Sequence, residues 1–421
     1  MIEQLYRTYL QHSEICTDTR KINAGCLFFC LKGENFDGNT FATQALEAGA
    51  AAVVTTRTDL PTDDRIFVVD DTLKTLQQLA SHHRQQLDIP FIGITGTNGK
   101  TTTKELVATV LQTKYKIAYT QGNFNNHIGV PLTLLSIPTD TEIAIVEMGA
   151  NHVGEIAGLC EIAQPNYGLI TNIGVAHIEG FGSKENIIKT KRAMYEAVMG
   201  CKGTIFVNGG DSTLTACAGD YQKQVRYGAC ADSTCPGEIT DMNPYLEISI
   251  EGKKYRTHLT GEYNLPNMLC AIAVGKYFGV DAATAASAIA NYEPSNNRSQ
   301  IIERESNTII ADFYNANPTS MTAAINNLAH LPHPNKCAIL GDMLELGSVS
   351  EQEHRNIVEL CQKNKISAIF VGHCFAQLNL PDVTVFHDVD EANAHLAAHP
   401  IRNAMILVKG SRGVHLERIE M

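Results

Sequence analysis

One short segment constrains the fold of this 421-residue chain more than any other: GITGTNGKTT, from Gly93 to Thr102. It overlaps the end of the apolar run FIGIT and opens the helix-like stretch TTTKELVATVLQT. A glycine-rich turn between a strand and a helix lets backbone N–H groups turn inward around phosphate oxygens, and the helix N-terminus adds a favourable partial charge. The segment therefore predicts a phosphate-binding loop in an α/β domain.

Within this loop, Lys100 is expected to reach the β- and γ-phosphates of a nucleotide, and the Thr101 hydroxyl is expected to bind Mg²⁺. The strict loop pattern has a glycine five positions before Gly99, where this chain has Ile94. A glycine-rich turn without a ligand is the alternative, but Gly-Lys-Thr at a strand-to-helix junction favours a nucleotide. The predicted nucleotide contacts of the loop are Gly96, Thr97, Asn98, Gly99, Lys100, Thr101 and Thr102.

Beyond the loop, apolar strand-like runs alternate with helix-like stretches in three zones: residues 1–85, 86–297 and 298–421. The last boundary falls in a polar, turn-rich stretch, residues 291–300, and residues 222–257 are less regular, with room for antiparallel strands. Strand–helix alternation predicts βαβ units around parallel sheets. With 44% hydrophobic residues the chain can build sizeable cores. The sequence thus predicts an α/β protein of three domains.

Charge and cysteine usage narrow the function classes. The 33 Lys and Arg against 45 Asp and Glu give a net charge of −12, which argues against non-specific binding to nucleic acid or to an anionic membrane. The 12 cysteines are scattered without a C-x-x-C pair, which favours free thiols in a reducing cytosol. With no signal peptide and no run of about 18 apolar residues, we expect a cytoplasmic protein without a membrane span.

Three polar residues outside the loop belong to segments that contain or follow predicted strands. Glu147 ends EIAIVE, His177 follows LITNIG, and Lys191 lies in the next helix-like stretch. Ligands of open α/β sheets bind beyond the carboxyl ends of the strands, so Glu147 is well placed to hold Mg²⁺ beside a phosphate loop. Each residue also has an ordinary reading, as a helix cap, a surface loop residue or a solvated helix face. Taken alone, His177 and Lys191 fit those readings better.

Nine segments together resemble the Mur ligase family, the ATP-dependent amide-forming enzymes of peptidoglycan synthesis. They are DTRKINAGCLFFCLKGENFDG, GITGTNGKTTTKE, YTQGNFNNHIGVPLTLL, EMGANHVGEI, LITNIGVAHIEGFGS, GEYNLPNMLCAIA, DFYNANPTSM, LGDMLELG and VKGSR. The TGTNGKT loop is common to several Mur ligases and to folylpolyglutamate synthases, so it does not choose between them. GN-x-NN-x-IGVPLTLL, YNANP-x-SM and GDM-x-ELG are more particular to the branch that adds D-alanyl-D-alanine, and all three occur in order.

The resemblance implies a three-domain architecture and a reaction. Residues 1–85 would bind the UDP end of the substrate, residues 86–297 would form a central P-loop ATPase domain with a parallel sheet, and residues 298–421 would form a C-terminal Rossmann-like domain. The implied activity joins D-alanyl-D-alanine to UDP-N-acetylmuramoyl-tripeptide, with ATP and Mg²⁺, through an acyl phosphate. Such a ligase serves cell wall biogenesis, and hence cell shape and division, and the resemblance suggests a monomer.

The resemblance also assigns metal ligands. One Mg²⁺ is expected at Thr101 and Glu147, and a second at His177 and a carbamylated Lys191. Carbamylation turns an ammonium into an anionic oxygen ligand that suits a hard cation. Charge on the transferring phosphoryl group would be neutralised by Lys100 and the metal. The expected catalytic residues are Lys100, Glu147, His177 and Lys191.

Further residues match binding positions of the family, although any of the asparagines could instead be a turn or cap residue. The expected nucleotide contacts outside the loop are Asn264, Asn267, Arg298 and Asp312. The expected substrate contacts are Thr19 and Arg20 at the uridine end, Asn125 and Asn126 at the muramoyl peptide, and Asn315, Asn317, Lys409, Ser411 and Arg412 at the active site and incoming dipeptide.

Two departures from the family pattern leave alternatives open. Lys191 is followed by Arg192-Ala193 where the family has Gly-Glu, and Tyr263 stands where the family has histidine. The first departure motivates a non-catalytic, nucleotide-binding regulator as a rival hypothesis. A nearer rival is a sibling Mur ligase or a folylpolyglutamate-type ligase that adds a single amino acid. Neither sibling is expected to carry YNANP together with GDM-x-ELG.

Overall fold

The computed structural model describes residues 1–295 and 297–420 of the chain. The described residues form four β-sheets, each built from its own stretch of sequence. Among them, no helix is both long enough and apolar enough to cross a membrane.

The first sheet is fully parallel, with its strands in sequence order. Its inner strands are almost completely buried, as expected when helices cover a parallel sheet. Its strands are β1 (Ile15–Cys16), β2 (Leu27–Phe29), β3 (Ala52–Thr55) and β4 (Ile66–Val68). Its helices are α1 (Ile2–Gln11), α2 (Ala42–Glu47) and α3 (Thr72–Gln85).

The second sheet contains the phosphate loop and is also parallel, in the order β10-β9-β8-β5-β7-β6. Its strands are β5 (Phe91–Thr95), β6 (Ile117–Tyr119), β7 (Ile143–Glu147), β8 (Tyr167–Ile170), β9 (Thr204–Asn208) and β10 (Gln224–Tyr227). The helices between them are α4 (Lys100–Leu111), α5 (Gly129–Leu135), α6 (Glu155–Ala163), α7 (Ile178–Phe181), α8 (Lys184–Gly200) and α9 (Ser212–Ala218). Strand β5 lies between β7 and β8, so the segments that follow these three strands meet at one edge of the sheet.

The irregular stretch 222–257 contributes to two sheets. It supplies β10 at the edge of the parallel sheet, and then three antiparallel strands, β11 (Gly237–Asp241), β12 (Glu247–Ile250) and β13 (Lys253–Arg256). Apolar side chains of β12 share a core cluster with the helices α10 (Leu265–Tyr277) and α11 (Ala282–Ala290). The small sheet therefore covers the outer side of α10 and α11, and Asn264 and Asn267 lie at the start of α10.

The fourth sheet has the order β14-β15-β19-β16-β17-β18, with β14 antiparallel and the other strands parallel. Its strands are β14 (Gln300–Arg304), β15 (Asn307–Asp312), β16 (Lys336–Gly341), β17 (Ser367–Val371), β18 (Thr384–Phe386) and β19 (Met405–Lys409). Its helices are α12 (Pro318–His330), α13 (Ser350–Lys363), α14 (His373–Gln377) and α15 (Val389–Ala398). The predicted α/β class with parallel sheets is confirmed.

The first two sheets are joined by a continuous apolar core. Leu76 and Leu79 of α3 belong to the same buried cluster as Leu134 and Leu159 of α5 and α6. The guanidinium of Arg84, at the end of α3, lies 3.7 Å from the centre of the Phe91 ring at the start of β5. The N-terminal helices are thus fixed against the sheet that carries the phosphate loop.

Candidate active site

The phosphate loop has the backbone that its glycines allow. Gly96 and Gly99 have φ of 146° and 77°, which L-residues rarely adopt. A Cβ on Gly96 would lie 2.0 Å from Oγ1 of Thr171, and one on Gly99 would lie 2.9 Å from Oδ1 of Asn267. Ile94, which departs from the strict loop pattern, is a fully buried residue of β5. The departure therefore falls in the strand core, before the loop begins to turn.

Lys100 is folded back over the loop at the start of α4. Its Nζ donates hydrogen bonds to the carbonyl oxygens of Gly96 and Thr97, at 2.8 and 2.9 Å. Burial lowers the pKa of the Lys100 amine to about 8, with a further lowering by Arg298, against the opposing effect of Glu147. The amine is thus held where phosphate oxygens would meet the loop, and a phosphate would stabilise its positive charge.

Glu147, at the end of β7, is the buried carboxylate of the site, with 1% of its surface exposed. Its Oε1 accepts hydrogen bonds from Oγ1 of Thr101 at 3.2 Å and from Nδ2 of Asn125 at 2.7 Å. Its Oε2 is buried and has no hydrogen-bond partner among the described residues. A buried carboxylate oxygen without a partner is costly unless a cation or donor occupies the position beside it.

Lys104, one turn after Lys100, is a site residue that the sequence reasoning missed. Its side chain is completely buried, and Nζ donates to the carbonyl oxygen of Thr120 at 2.6 Å. The same Nζ lies 3.0 Å from Oε1 of Glu105 and 3.9 Å from Oε2 of Glu147. It therefore supplies the positive charge that a buried Glu147 requires. The available signal was a lysine within the apolar residues of α4.

His177 and Lys191 meet on the other side of the loop. They line a small recess together with Gly96, Thr97 and Lys100. Lys191 is 2% exposed, and burial, aided by the charge of Lys100, lowers its pKa well below its usual range. Burial also lowers the pKa of His177, although Glu345 opposes this shift. Both groups thus lie beside the phosphate loop, where burial disfavours their charged forms, rather than on a solvated helix face and in a surface loop.

Arg192 points away from this recess. Its Nε forms an i, i+4 ion pair with Oε1 of Glu196 at 3.1 Å, and its side chain is 51% exposed. Successive helix residues are about 100° apart around the axis, so burying Lys191 turns Arg192 outward. The Arg192-Ala193 departure adds no charge to the recess.

Asn264 and Asn267 tie the start of α10 to the phosphate-loop helix. Asn267 donates through Nδ2 to Oδ1 of Asn264 at 3.0 Å and accepts a bond from Oγ1 of Thr103 at 3.1 Å. Asn264 in turn donates to the carbonyl oxygen of Thr260 at 2.8 Å. Both amides are nearly buried, so they shape the wall of the site beside Gly99.

The C-terminal domain contributes the opposite wall. Lys409, at the end of β19, is 2% exposed and donates to Oδ2 of Asp312 at 2.7 Å and to the carbonyl oxygen of Asn315 at 2.9 Å. The Arg298 guanidinium lies 3.7 Å from the centre of the Tyr314 ring, and its Nε is buried without a partner among the described residues. Tyr314 is a second residue that the sequence reasoning missed.

Tyr263, the second departure, bridges the central and C-terminal parts of the chain. Its hydroxyl is 2.8 Å from Oγ of Ser299, whose N–H donates to Oδ1 of Asp312 at 3.3 Å. Tyrosine at this position thus connects the start of α10 to the segment that enters β14.

Two of the predicted asparagines act as turn or cap residues. Asn317 accepts a bond from the N–H of Ser320 at 2.9 Å and caps α12, while its Nδ2 donates to Oδ1 of Asn98 at 2.7 Å. Asn126 accepts a bond from the N–H of Gly129 at 2.8 Å. Asn317 therefore has a second task, since it joins the C-terminal domain to the phosphate loop.

These walls enclose one cavity of about 1010 Å³, which residues of all three parts of the chain line, including Gln77 of α3. Gly96 and Lys191 line the adjoining recess, whereas Thr19 and Arg20 line neither, and Arg20 pairs with Asp18 on the surface. The predicted residues that line the large cavity are Thr97, Asn98, Gly99, Lys100, Thr101, Thr102, Asn125, Asn126, Glu147, His177, Asn264, Asn267, Arg298, Asp312, Asn315, Asn317, Lys409, Ser411 and Arg412.

Comparison with protein-family models identifies this arrangement. Residues 12–84 match the model described as Mur ligase family, catalytic domain. Residues 94–275 match the Mur ligase middle domain, and residues 297–412 match the Mur ligase, glutamate ligase domain. The chain belongs to the Mur ligase family. The predicted family and the predicted ligase class are confirmed.

Relatives within the family are similar over nearly the whole length. A UDP-N-acetylmuramoyl-tripeptide–D-alanyl-D-alanine ligase of Bacillus subtilis is 37% identical over 96% of this chain and 92% of its own. A crystal structure of MurF from Acinetobacter baumannii matches with a TM-score of 0.88 at 28% identity, over 99% of this chain and 97% of that one. MurF from Thermotoga maritima, solved in complex with ADP, matches with a TM-score of 0.84 at 27% identity, over 97% and 96% of the two chains.

Proposed function

We propose that this Mur ligase joins D-alanyl-D-alanine to UDP-N-acetylmuramoyl-tripeptide at the expense of ATP. The observation that carries the proposal is the cavity of about 1010 Å³ in which the phosphate loop, Glu147 and the Lys409 wall face one another. The relatives named above carry this activity in their names or belong to its MurF group. The product is the pentapeptide precursor of peptidoglycan, so the role is in cell wall biogenesis.

The proposed division of labour follows the three parts of the chain. Residues 1–85 bind the UDP end of the precursor, residues 86–297 bind ATP, and residues 298–421 close over the site. The shared core of α3 with α5 and α6 supports a fixed seat for the precursor beside the loop. Thr19 and Arg20 stand at the uridine end of this proposal, outside the cavity. We also propose a monomer, since one chain supplies every wall of the cavity, and a cytoplasmic location, where ATP and UDP-linked precursors are available.

The nucleotide is proposed to lie over the loop. Backbone N–H groups of residues 96–101 would cradle its phosphates, as helix N-termini with glycine-rich loops do. Lys100 would move from the loop carbonyls to the phosphates, and Arg298, whose Nε lacks a partner, would reach them from the opposite wall. Asn264 and Asn267 would lie by the base, and Asp312 by the ribose. The ADP complex of the Thermotoga maritima relative supports this use of the fold.

The donors around Glu147 fit a magnesium ion. Mg²⁺ prefers oxygen ligands, and Oε2 of Glu147 is buried without a partner while Oγ1 of Thr101 lies beside Oε1. We therefore propose Thr101 and Glu147 as ligands. When bound, Mg²⁺ supplies positive charge to the phosphoryl group in transfer.

His177 and Lys191 are proposed as ligands of a second Mg²⁺, with Lys191 carbamylated. Carbamylation requires a neutral amine, which forms a bond from Nζ to the carbon of CO₂ and releases a proton. The buried Lys191, whose pKa is lowered well below its usual range, provides that amine. The neutral imidazole of His177 in the same recess can donate a lone pair.

The reaction that these residues support has two steps. The terminal carboxylate of the precursor attacks the γ-phosphate, forming an acyl phosphate and ADP. The amine of D-alanyl-D-alanine then attacks the acyl carbon, and the tetrahedral intermediate collapses to amide and phosphate. Lys100 stabilises the transferring phosphoryl charge, and the C-terminal wall excludes water, which would otherwise hydrolyse the acyl phosphate.

Substrate contacts are proposed on both sides of the loop. Asn125 and Asn126, which line the cavity together with Gln77, would contact the muramoyl peptide. On the C-terminal wall, the buried ammonium of Lys409 and the exposed guanidinium of Arg412 suit the carboxylate of the dipeptide. The remaining proposed contacts on that wall are Asn315, Asn317 and Ser411.

One assay tests the activity against its rivals. The chain is supplied with ATP, Mg²⁺ and the UDP-tripeptide, amines are screened, and phosphate release and product mass are measured. Phosphate and a pentapeptide product with D-alanyl-D-alanine alone are the expected result. Turnover with glutamate or another single amino acid would assign the chain to a sibling activity. ATP binding without turnover of any amine would favour a nucleotide-binding regulator.

A further inference from the structure

A loop of the C-terminal domain reaches across the cavity to His177. It belongs to the GDMLELG segment and lies between β16 and α13. The Glu345 carboxylate oxygen Oε2 is hydrogen-bonded to Nδ1 of His177. The backbone carbonyl of Glu345 also accepts a bond from the N–H of Glu179 at 3.4 Å. The loop thus contacts both His177 and the helix α7 that His177 begins.

The loop holds Glu345 in a fixed place. Met343 and Leu346 on either side are buried in the C-terminal core, and the N–H of Leu344 donates to Oγ of Ser411 at 3.0 Å. Glu345 itself has φ of 63°, a left-handed conformation that folds the loop back on itself. Because its neighbours are anchored, the carboxylate is presented to His177 by a defined backbone rather than by a mobile tail.

The chemistry of this contact defines the state of the imidazole. A carboxylate can only accept the hydrogen bond, so Nδ1 of His177 must carry the proton that it donates. In a neutral imidazole the other nitrogen, Nε2, then has a free lone pair. His177 lines both the cavity and the recess that holds Lys191. Carboxylates that fix a histidine in this way make its second nitrogen a better ligand.

We propose that Glu345 is a positioning residue for His177, fixing its tautomer and ring orientation once the C-terminal domain closes over the phosphate loop. The inference deepens the proposed function and rests on it, because it gives His177 its role in the same reaction. Glu345 and His177 belong to different domains, so closure itself completes this part of the site. An open molecule would hold His177 without its partner, which ties the start of the reaction to the closed state.

The tautomer can be measured without turnover. The chain is labelled with ¹⁵N-histidine, and the His177 ring nitrogens are assigned with a His177→Gln variant. Long-range ¹H–¹⁵N spectra are recorded without metal, with a non-hydrolysable ATP analogue and the UDP-tripeptide. We expect the proton on Nδ1 in the unmodified chain and a shift towards the Nε2–H form in Glu345→Ala. An Nδ1–H tautomer that Glu345→Ala leaves unchanged would overturn the proposal.

Kinetics give the second readout. We expect Glu345→Ala to lower kcat about 10- to 100-fold, the usual effect of removing a carboxylate that orients a metal-ligating histidine, with the KM for ATP little changed. Glu345→Gln keeps an oxygen that can accept the Nδ1–H bond, so it should keep the tautomer and recover most of kcat. A Gln variant as slow as the Ala variant would contradict positioning. Glu351→Gln is the matched control, since Glu351 pairs with Arg355 on the surface of α13.

The role of Glu345 and the proposed ligase activity are tested independently. If the amine substrate proved to be a single amino acid, the tautomer would still depend on Glu345. If the tautomer did not depend on Glu345, the turnover of D-alanyl-D-alanine would still support the proposed function.

Discussion

At the residue scale, the network around Glu147 links two buried charges of opposite sign. Lys104 donates to the carbonyl of Thr120, and the hydroxyl of Thr120 accepts a bond from the backbone N–H of Glu147 at 3.0 Å. Lysine is almost never fully buried unless it is paired, and a buried carboxylate needs a compensating charge. Lys104 therefore compensates the buried charge of Glu147, while its own charge is also compensated by Glu105.

Replacing Lys104 by Met should destabilise the central domain. Removing one partner of a buried ion pair costs about 3–5 kcal/mol, because the remaining charge is left uncompensated. For a domain of this size, this corresponds to a fall of roughly 6–20 °C in the midpoint of thermal unfolding. Calorimetry measures the fall. The double variant Lys104→Met, Glu147→Gln should have a smaller fall in midpoint than Lys104→Met alone. A Lys104→Met variant with the same midpoint as the unmodified chain would contradict the pairing.

Replacing Lys191 by Ala should remove most of the ligase activity, because the proposed carbamate ligand cannot form. Phosphate release under saturating substrates measures the loss. Small carboxylates added to the assay should restore part of the rate if a carboxylate-like oxygen is what the recess lacks. Lys189→Ala, two residues away at an exposed position of the same helix α8, is the control. Undiminished turnover of the Lys191 variant would remove Lys191 from the mechanism.

The residues that the sequence predicted and those that it missed differ in one physical respect. Lys100 and Glu147 could be found because the end of a parallel strand fixes where they lie, whatever their neighbours are. Lys104 and Glu345 act through contacts with residues distant in sequence, Thr120 and His177. No spacing in the chain encodes such a contact, so only the packed structure could supply it.

At the scale of single elements, α12 shows how one cap serves two purposes. Asn317 forms a reciprocal capping box with Ser320 at the start of the helix. The same side chain donates to Asn98 in the phosphate loop. The helix therefore begins where the C-terminal domain touches the loop, and its N-terminal end faces the cavity.

Two variants of Asn317 distinguish its capping of α12 from its hydrogen bond to Asn98. Asn317→Ala should lose both and cost about 1 kcal/mol in the stability of the C-terminal domain, the usual effect of losing an N-cap. Asn317→Ser keeps a capping hydroxyl but is too short to reach Asn98. We expect the unfolding midpoint of the Ser variant to lie close to that of the unmodified chain. We expect the KM for ATP to rise in both variants by a similar factor. Equal melting of the two variants would contradict the capping role.

Helix α13 contains, near its start, a buried histidine with a pH-dependent contribution to stability. His354 is completely buried, accepts a bond from the N–H of Met343 at 3.0 Å and donates through Nδ1 to the carbonyl of Ser350 at 2.7 Å. Burial lowers the pKa of His354, against opposing effects of Ser350, Asp342 and Glu353. Protonation would break the bond from Met343, so the folded state favours the neutral ring.

The sign of the effect follows from this lowered pKa. Below the ordinary histidine pKa of about 6.5, the unfolded chain takes up a proton that the folded chain resists, so stability falls as the pH drops. The unfolding midpoint of the C-terminal domain should therefore fall between pH 7 and pH 5, and fall less in His354→Asn. Calorimetry at both pH values measures this. His399→Asn, at an exposed position after α15, is the control and should follow the unmodified chain.

Among the elements, the regular alternation was predictable, whereas for residues 222–257 the sequence indicated room for antiparallel strands but not their bounds or pairing. The runs EIAIVE and FIGIT become β7 and β5 because buried parallel strands need apolar residues on both faces. The strands β11 to β13 are short, half exposed and rich in charged residues. Their pairing depends on the apolar cover that they give to α10 and α11, and local sequence does not carry that information.

At the scale of the whole molecule, the three parts are joined in two different ways. The first two share a buried apolar core through α3. The contact of the C-terminal domain with the central domain includes a set of hydrogen bonds: Asn317 with Asn98, Asn327 with Thr260, Tyr263 with Ser299, and Glu345 with His177. Such polar contacts can open and re-form without exposing a core. The domain boundaries predicted from the sequence therefore do not tell an apolar interface between domains from a polar one that can open.

A net charge of −12 is compatible with two anionic substrates, because a few cationic side chains lie together in the cavity. The cationic side chains that line the cavity, Lys100, Arg298, Lys409 and Arg412, meet there although three of them are far from Lys100 in sequence. Carboxylates line the same cavity, namely Glu147, Glu155, Glu161, Asp312 and Glu345, so the cations act by their positions and not by a net positive charge of the cavity. Overall charge could exclude partners that bind any cationic surface, but recognition of a nucleotide depends on where a few cations converge.

Closure should respond to the hydroxyl of Tyr263. Removing one hydrogen bond of about 1 kcal/mol across the joint should shift the equilibrium about fivefold towards an open molecule. We therefore expect Tyr263→Phe to have a larger radius of gyration than the unmodified chain without ligands, measured by X-ray scattering. With an ATP analogue and the UDP-tripeptide, both chains should reach the same smaller radius, because in-line transfer requires groups from separate domains in contact.

The control for this prediction is another tyrosine hydroxyl. The hydroxyl of Tyr277 is 3.1 Å from Oγ1 of Thr204, and both residues belong to the central domain. Tyr277→Phe therefore loses a similar bond without crossing the joint, and its scattering should match that of the unmodified chain in both states. If the two Phe variants scattered alike, the Tyr263 bond would have no part in closure. If ligands left the radius of the unmodified chain unchanged, closure itself would be wrong, and the polar joint would be a static interface.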